Sequence, residues 1–236
     1  MRFDGKTVLI TGVGKSGQVG EGVARAFAAE GARLSLVDIS LDDAGARAAE
    51  LRAGGADAKA YACDLSDQAQ LTRLAAEVGA ATGGRLDALV VLAGGFAMSG
   101  PVAESDPAIW QKMITINLTT AYLTTRAFLP ALRAAGGAIV YFGAAAALPG
   151  GGTAGMAAYV AAKSGVLALM RAVAADEREH HVRANAVAPT QIRTAQNIAS
   201  MGDKAKYVER EEAAAAVCYL CSSEASAISG QVVRLG

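Results

Sequence analysis

The stretch Thr7-Val8-Leu9-Ile10-Thr11-Gly12-Val13-Gly14-Lys15-Ser16-Gly17-Gln18-Val19-Gly20 decides the fold. Its first residues form a short, continuously apolar run, as a strand covered on both faces requires. Glycines at 12, 14, 17 and 20 follow, and an amphipathic helical pattern then runs over Val19–Glu30. A strand that passes through a glycine turn into a helix makes an anion cradle. Glycine lets the backbone turn tightly and approach a pyrophosphate closely, and the unpaired N–H groups of the helix start point at it. Glycine clusters also serve ordinary turns, so a second landmark is needed. Asp38 supplies it at the end of Leu34-Ser35-Leu36-Val37-Asp38. A carboxylate there accepts hydrogen bonds from both hydroxyls of an adenosine ribose and repels a 2′-phosphate. NAD(H) is therefore favoured over NADP(H). Lys15 is the counter-signal, because its charge attracts a phosphate.

Outward from that turn, apolar strand-like runs alternate with Ala-rich helical patterns. Strands are predicted at Thr7–Thr11, Arg33–Val37, Ala58–Ala62, Ala88–Ala93, Ala138–Phe142, Ala184–Val187 and Gln231–Arg234. Helices are predicted at Val19–Glu30, Asp42–Ala53, Asp67–Ala81, Pro107–Ala134, Met156–Glu179 and Glu209–Cys221. The repeated order implies an α/β fold: one Rossmann-like, doubly wound parallel sheet of about seven strands, with helices on both faces, over residues 1–236. Gly31 suits a left-handed position after the first helix, Ser66 is placed to cap the third, and Asp106-Pro107 reads as cap and first residue of the fourth. His180 and His181 fall at a helix end, where their donors suit free carbonyls rather than a metal. Pro189 to Tyr207 reads as a loop over the carboxyl ends of the strands, where such sheets bind ligands.

Composition excludes other classes. The 22 basic residues balance 22 acidic ones without a basic tract, which argues against a nucleic-acid or anionic-membrane partner. The apolar fraction of 53% is ample for a core, yet no run is expected to reach the roughly 20 residues of a membrane span. No leader-like segment precedes the first strand, and cytoplasm is the expected compartment. Cys218 and Cys221 form a C-x-x-C near a helix end rather than at a helix start, so packing is expected rather than redox or zinc chemistry.

The remaining motifs resemble the short-chain dehydrogenase/reductase family along essentially the whole chain. Cys63-Asp64-Leu65 is similar to the segment that contacts adenine. Asn117, in Ile114-Thr115-Ile116-Asn117-Leu118, matches the active-site Asn. Tyr159-Val160-Ala161-Ala162-Lys163 matches Tyr-x-x-x-Lys, and residues four apart share a helix face. An ammonium beside a phenol is expected to bring its pKa from about 10 toward neutrality. Ala93-Gly94 lies where the cofactor approaches, and Pro189 and Ile192 belong to the segment flanking the nicotinamide. The resemblance implies hydride exchange between nicotinamide and a small alcohol or carbonyl substrate. Tyr159 would move the proton, Lys163 would hold ribose and tune Tyr159, and Asn117 would anchor a relay water. It also implies a homodimer or homotetramer through the two long helices. The implied cofactor-binding set is Gly12, Gly14, Gly17, Val19, Asp38, Asp64, Leu65, Ala93, Gly94, Tyr159, Lys163, Pro189 and Ile192, with no metal.

Three departures stand out. The glycine turn is longer than usual and resembles the spacing of the divergent enoyl-reductase branch. Val91-Leu92 stands where the family has Asn-Asn. Ala144 stands where the family has the Ser that donates to the substrate oxygen, a kind of donor worth about a hundred- to a thousandfold in rate. Thr153 or Ser99 is the candidate replacement. The alternative is a catalytically weak dinucleotide-binding sensor or scaffold.

Overall fold

The computed structural model describes residues 1–14 and 16–236. Lys15, with its expected pull on a phosphate, lies outside the described residues. The seven strands are β1 (Thr7–Thr11), β2 (Arg33–Asp38), β3 (Ala58–Ala62), β4 (Ala88–Val91), β5 (Ala138–Phe142), β6 (Arg183–Pro189) and β7 (Val232–Leu235). They pair in parallel in the order β3-β2-β1-β4-β5-β6-β7. Successive side chains feed opposite faces. Val8 and Ile10 join α1 (Val19–Ala29), α2 (Leu41–Ala53) and α8 (Arg210–Cys221) in one core layer. Leu9 joins α3 (Gln68–Thr82), α5 (Thr120–Ala135) and α6 (Ala157–Asp176) in the other. The chain winds outward from β1 to β3 and then returns to lay β4 on the other side of β1. That reversal opens a crevice at the carboxyl ends of β1 and β4.

The expected boundaries shift where side chains intervene. β4 stops at Val91 instead of Ala93 because the Thr11 hydroxyl accepts the Leu92 and Ala93 N–H groups, at 3.1 and 3.2 Å, and draws them out of the ladder. Asp67, not Ser66, caps α3 by accepting from the Ala69 and Gln70 N–H groups, while the Ser66 hydroxyl donates to Asp64. Gly31, at φ +86°, and Asp106-Pro107 sit as expected.

The single helix expected over Pro107–Ala134 is three pieces: α4 (Pro107–Met113), a π-helical turn (Ile114–Thr119) and α5. The Asn117 side chain takes the Met113 carbonyl four residues back, and the widened turn aims Asn117 into the crevice. α6 ends at Asp176, so the two histidines do not cap it; His180 closes a separate 3₁₀ turn and His181 follows at φ +57°. The expected loop from Pro189 to Tyr207 contains α7 (Ala195–Met201), whose start is fixed by the Thr194 hydroxyl accepting the Asn197 N–H. α6, 20 residues long with a mean hydropathy of 1.3, meets the length and composition of a membrane span, contrary to expectation. It packs on β5, β6 and the π turn as a core helix. Cys218 and Cys221 are buried, and burial pushes both thiols up, Cys218 to about 12, so the pair is packing.

Candidate active site

The glycine turn is built from backbone. Gly12, Gly14 and Gly17 have φ of +68°, +52° and +80°, a region other residues enter at a cost. A Cβ on Gly12 would lie 2.7 Å from the Ala93 Cα, and one on Gly20 would lie 2.4 Å from the Gly12 carbonyl oxygen. The turn therefore presses against the end of β4 on one side and the start of α1 on the other. The Gln18 side chain makes no cap bond there, which leaves the α1 N–H groups without a side-chain acceptor from it. This cradle fits a dinucleotide pyrophosphate at Gly12, Gly14, Gly17 and Val19.

Two carboxylates brace the turn. Asp38 accepts the Gly14 N–H at 2.7 Å and the Ser40 N–H at 3.3 Å, so it shapes the turn. Glu21, which sequence reasoning missed, is buried in the first turn of α1 and accepts from the Gly17 N–H. Arg25, Arg47 and Arg210 surround it at 2.8, 3.5 and 3.5 Å. Burial raises its pKa, but the Gly17 bond and the three guanidinium groups outweigh that and hold it below the usual carboxylate range. The only signal in sequence was Glu21 and Arg25 four residues apart. Asp64 and Leu65 lie alongside: the Cys63 N–H donates to the Asp38 carbonyl at 2.9 Å, Asp64 holds Ser66, and Leu65 is buried.

At the other end of the crevice, Gly94, Asn117 and Lys163 meet. A Cβ on Gly94 would lie 2.5 Å from the Asn117 Oδ1 and 3.5 Å from the Lys163 Nζ. The Asn117 amide donates to the Gly95 and Met113 carbonyls at 3.0 Å each and accepts from the Gly95 N–H at 3.2 Å. Both its donors are spent on the backbone, so the side chain ties the segment after β4 to the π turn. Lys163 donates to the Phe142 carbonyl at 2.8 Å, and its Nζ lies 5.9 Å from the Tyr159 ring centre.

The expected lowering of the Tyr159 pKa is not found. Burial raises the phenol to about 12 and lowers Lys163 to about 8. Desolvation outweighs attraction here because the ammonium turns to Phe142.

The segment after β6 closes over the turn. Pro189 is buried, and Ile192 bridges Val208 and accepts from the Asn197 amide at 2.8 Å. The Ala195 N–H donates to the Gly17 carbonyl at 3.2 Å, tying α7 to the glycine turn.

The two candidate replacements for the missing hydroxyl sit in different surroundings. Ala144 is buried and extended at the end of β5. Thr153 is exposed. The Ser99 hydroxyl donates to the Gly155 carbonyl at 3.2 Å. What meets Tyr159 is apolar: Phe96 packs edge-on at 5.0 Å between ring centres and is itself 54% exposed. Among the described residues, no three His, Cys, Asp or Glu side chains gather as a metal site.

Comparison with known proteins agrees with this geometry. The family model described as Enoyl-(Acyl carrier protein) reductase matches residues 12–235. The chain is 34% identical to D-threitol dehydrogenase of Mycolicibacterium smegmatis over 97% of this chain and 90% of that one. It is 35% identical to meso-2,3-butanediol dehydrogenase of Serratia marcescens over 98% of this chain and 92% of that one. The crystal structure of a short-chain dehydrogenase/reductase from Burkholderia xenovorans superposes with a TM-score of 0.91 at 33% identity, covering 99% and 96% of the two chains.

Proposed function

The chain belongs to the short-chain dehydrogenase/reductase family, and from that premise we propose that it is an NAD(H)-dependent dehydrogenase of small secondary alcohols and their ketones. The oxidoreductase class and the use of NAD(P) follow from the family; the choice of NAD(H) rests on Asp38. Asp38 would hold the adenosine ribose, Gly12, Gly14, Gly17 and Val19 the pyrophosphate, and Asp64 and Leu65 the adenine. Ala93, Gly94, Pro189 and Ile192 would flank the nicotinamide. When bound, the nicotinamide supplies or accepts the hydride. Tyr159 would donate the proton to the carbonyl oxygen in reduction and take it from the alcohol in oxidation. Lys163, lowered to about 8, exchanges its proton near physiological pH and would hold the ribose hydroxyls beside Tyr159.

The observation that carries the reading is the convergence at Gly94, where only the absence of a Cβ lets Asn117 and Lys163 meet the end of β4. The D-threitol and meso-2,3-butanediol dehydrogenases suggest vicinal diols as first substrates to try. A cytoplasmic homodimer or homotetramer is part of the proposal, supported by Trp110 and Tyr122, 47% and 51% exposed on α4 and α5.

Ala144 supports a second reading, a dinucleotide-binding protein with little turnover. The test is NADH binding by fluorescence, with NAD-dependent oxidation of meso-2,3-butanediol and threitol followed by absorbance. We expect binding and turnover in the native protein, and a loss of about a hundredfold or more in turnover, with binding kept, in Tyr159→Phe. Binding without turnover of either diol selects the second reading. No binding of NADH or NADPH ends both.

A further inference from the structure

The opposite rim of the sheet, at the amino ends of the strands, carries a cleft of about 680 Å³ that the oxidoreductase site does not use. Its floor is the start of β5 and β6, and one wall is the last turns of α6. Arg171, Arg178 and Arg183 line it, together with Arg2 and Lys6. The acids nearby are already committed. Asp87 pairs with Lys6 at 3.0 Å, Glu30 with Arg2 at 2.7 Å, and Glu177 with Arg133 at 2.7 Å. Among the described residues, Arg171, Arg178 and Arg183 make no ion pair.

Arg183 is the most informative of the three. Its guanidinium is half-buried and donates to the carbonyls of Leu220, Ser222 and Ile228 at 2.8, 2.9 and 3.4 Å. Carbonyls fix its direction without neutralising its charge. Burial lowers its pKa, which marks a cation held in place without a counter-charge. Arg171 lies near the end of α6 and Arg178 in the 3₁₀ turn that follows it, and both are exposed. The hydroxyl-bearing Ser223, Ser226 and Ser229 also line the cleft. Planar guanidinium groups with hydroxyl donors around a concave surface are the chemistry that recognises phosphate.

We propose that this amino-rim cleft binds a small phosphate-bearing ligand, a phosphate monoester held by Arg171, Arg178 and Arg183, independently of the dinucleotide crevice.

The test is calorimetric titration of the full chain with inorganic phosphate, at ionic strength held constant with potassium chloride and with NADH present to fill the glycine turn. We expect saturable binding at one site, weakened at least about tenfold in the double variant R171E/R178E. Both positions are exposed, so the variant is expected to fold, and its unfolding temperature and NADH affinity check this. No saturable heat overturns the proposal, as does equal affinity in the double variant. Phosphate affinity that falls as protein concentration rises identifies a self-contact and overturns it too. The comparison of native and double variant does not need NADH to bind, so failure of the oxidoreductase reading shows separately in the NADH titration.

Discussion

The two ends of the crevice are built from different materials. At the β1–β2 end the ligand surface is backbone: three glycines at positive φ, the start of α1, and carboxylates that accept main-chain N–H groups. At the β4–β5 end it is side chains: Tyr159 and Lys163 on α6, Asn117 on the π turn, and Ala144 where a hydroxyl was expected. Backbone is common to all residues, so a cradle made of it survives sequence change as long as the glycines remain. Chemistry done by a single hydroxyl is lost with one substitution. The glycine-turn end is thus independent of the other end, where apolar Phe96 packs against Tyr159.

The hardest blow to this contrast is expected from Gly20→Val. Its Cβ would meet the Gly12 carbonyl oxygen at 2.4 Å and the Val13 Cα at 2.6 Å, contacts with main chain that cannot move aside. We expect a loss of about 3 kcal/mol or more in stability by urea unfolding, with NADH binding gone. A variant that folds and binds normally would mean the cradle is not set by backbone fit.

Next comes the buried Lys163. Its pKa is about 8 when folded against an ordinary 10.5, so between these pH values the unfolded chain holds more protons and stability rises with pH. The gain over that window is about 3 kcal/mol for a group this buried. Below pH 8 the full penalty remains. Urea midpoints should climb between pH 8 and 9 in the native protein, and Lys163→Met should remove the climb; above pH 9 the buried thiols of Cys63, Cys218 and Cys221, held above their ordinary pKa, pull stability down. Tyr159 adds to that fall above pH 10, because its pKa is raised as well.

The substrate end is sharpened by restoring its missing group. Ala144 is already buried and extended, so Ala144→Ser places a hydroxyl without rebuilding β5. Turnover of a vicinal diol should increase by about tenfold or more, with NADH affinity unchanged. Unchanged turnover would show that another donor already serves. The smallest effect is expected from Asp38→Asn, which keeps an acceptor for the Gly14 N–H but removes the charge. NADH affinity should weaken by about tenfold, and the preference over NADPH should shrink. Both are read by fluorescence titration.

The fold was legible because its signals are local. Strand, turn and helix follow one another from Thr7 to Glu30, and each needs only its own neighbours to be recognised. Asp38 and the Tyr159/Lys163 pair were legible for the same reason, one closing a strand and the other sharing a helix face. The break at Asn117 was not, because Ile114 to Thr119 has an ordinary helical pattern. Its π turn depends on Gly95, which meets Asn117 from a different element. Nor could spacing reveal that Lys163 turns to Phe142, or that Glu21 gathers arginines from α1, α2 and α8.

The sequence by itself determined a parallel α/β sheet with a dinucleotide cradle, since glycine placement and strand–helix order act over a few residues. Only the tertiary structure decided the burial of the phenol and ammonium, the hydrogen-bond partners of Asn117 and Ser99, and the gathering of arginines on the far rim. Those depend on burial and on partners distant in the chain, and desolvation is a property of the surroundings rather than of the residue.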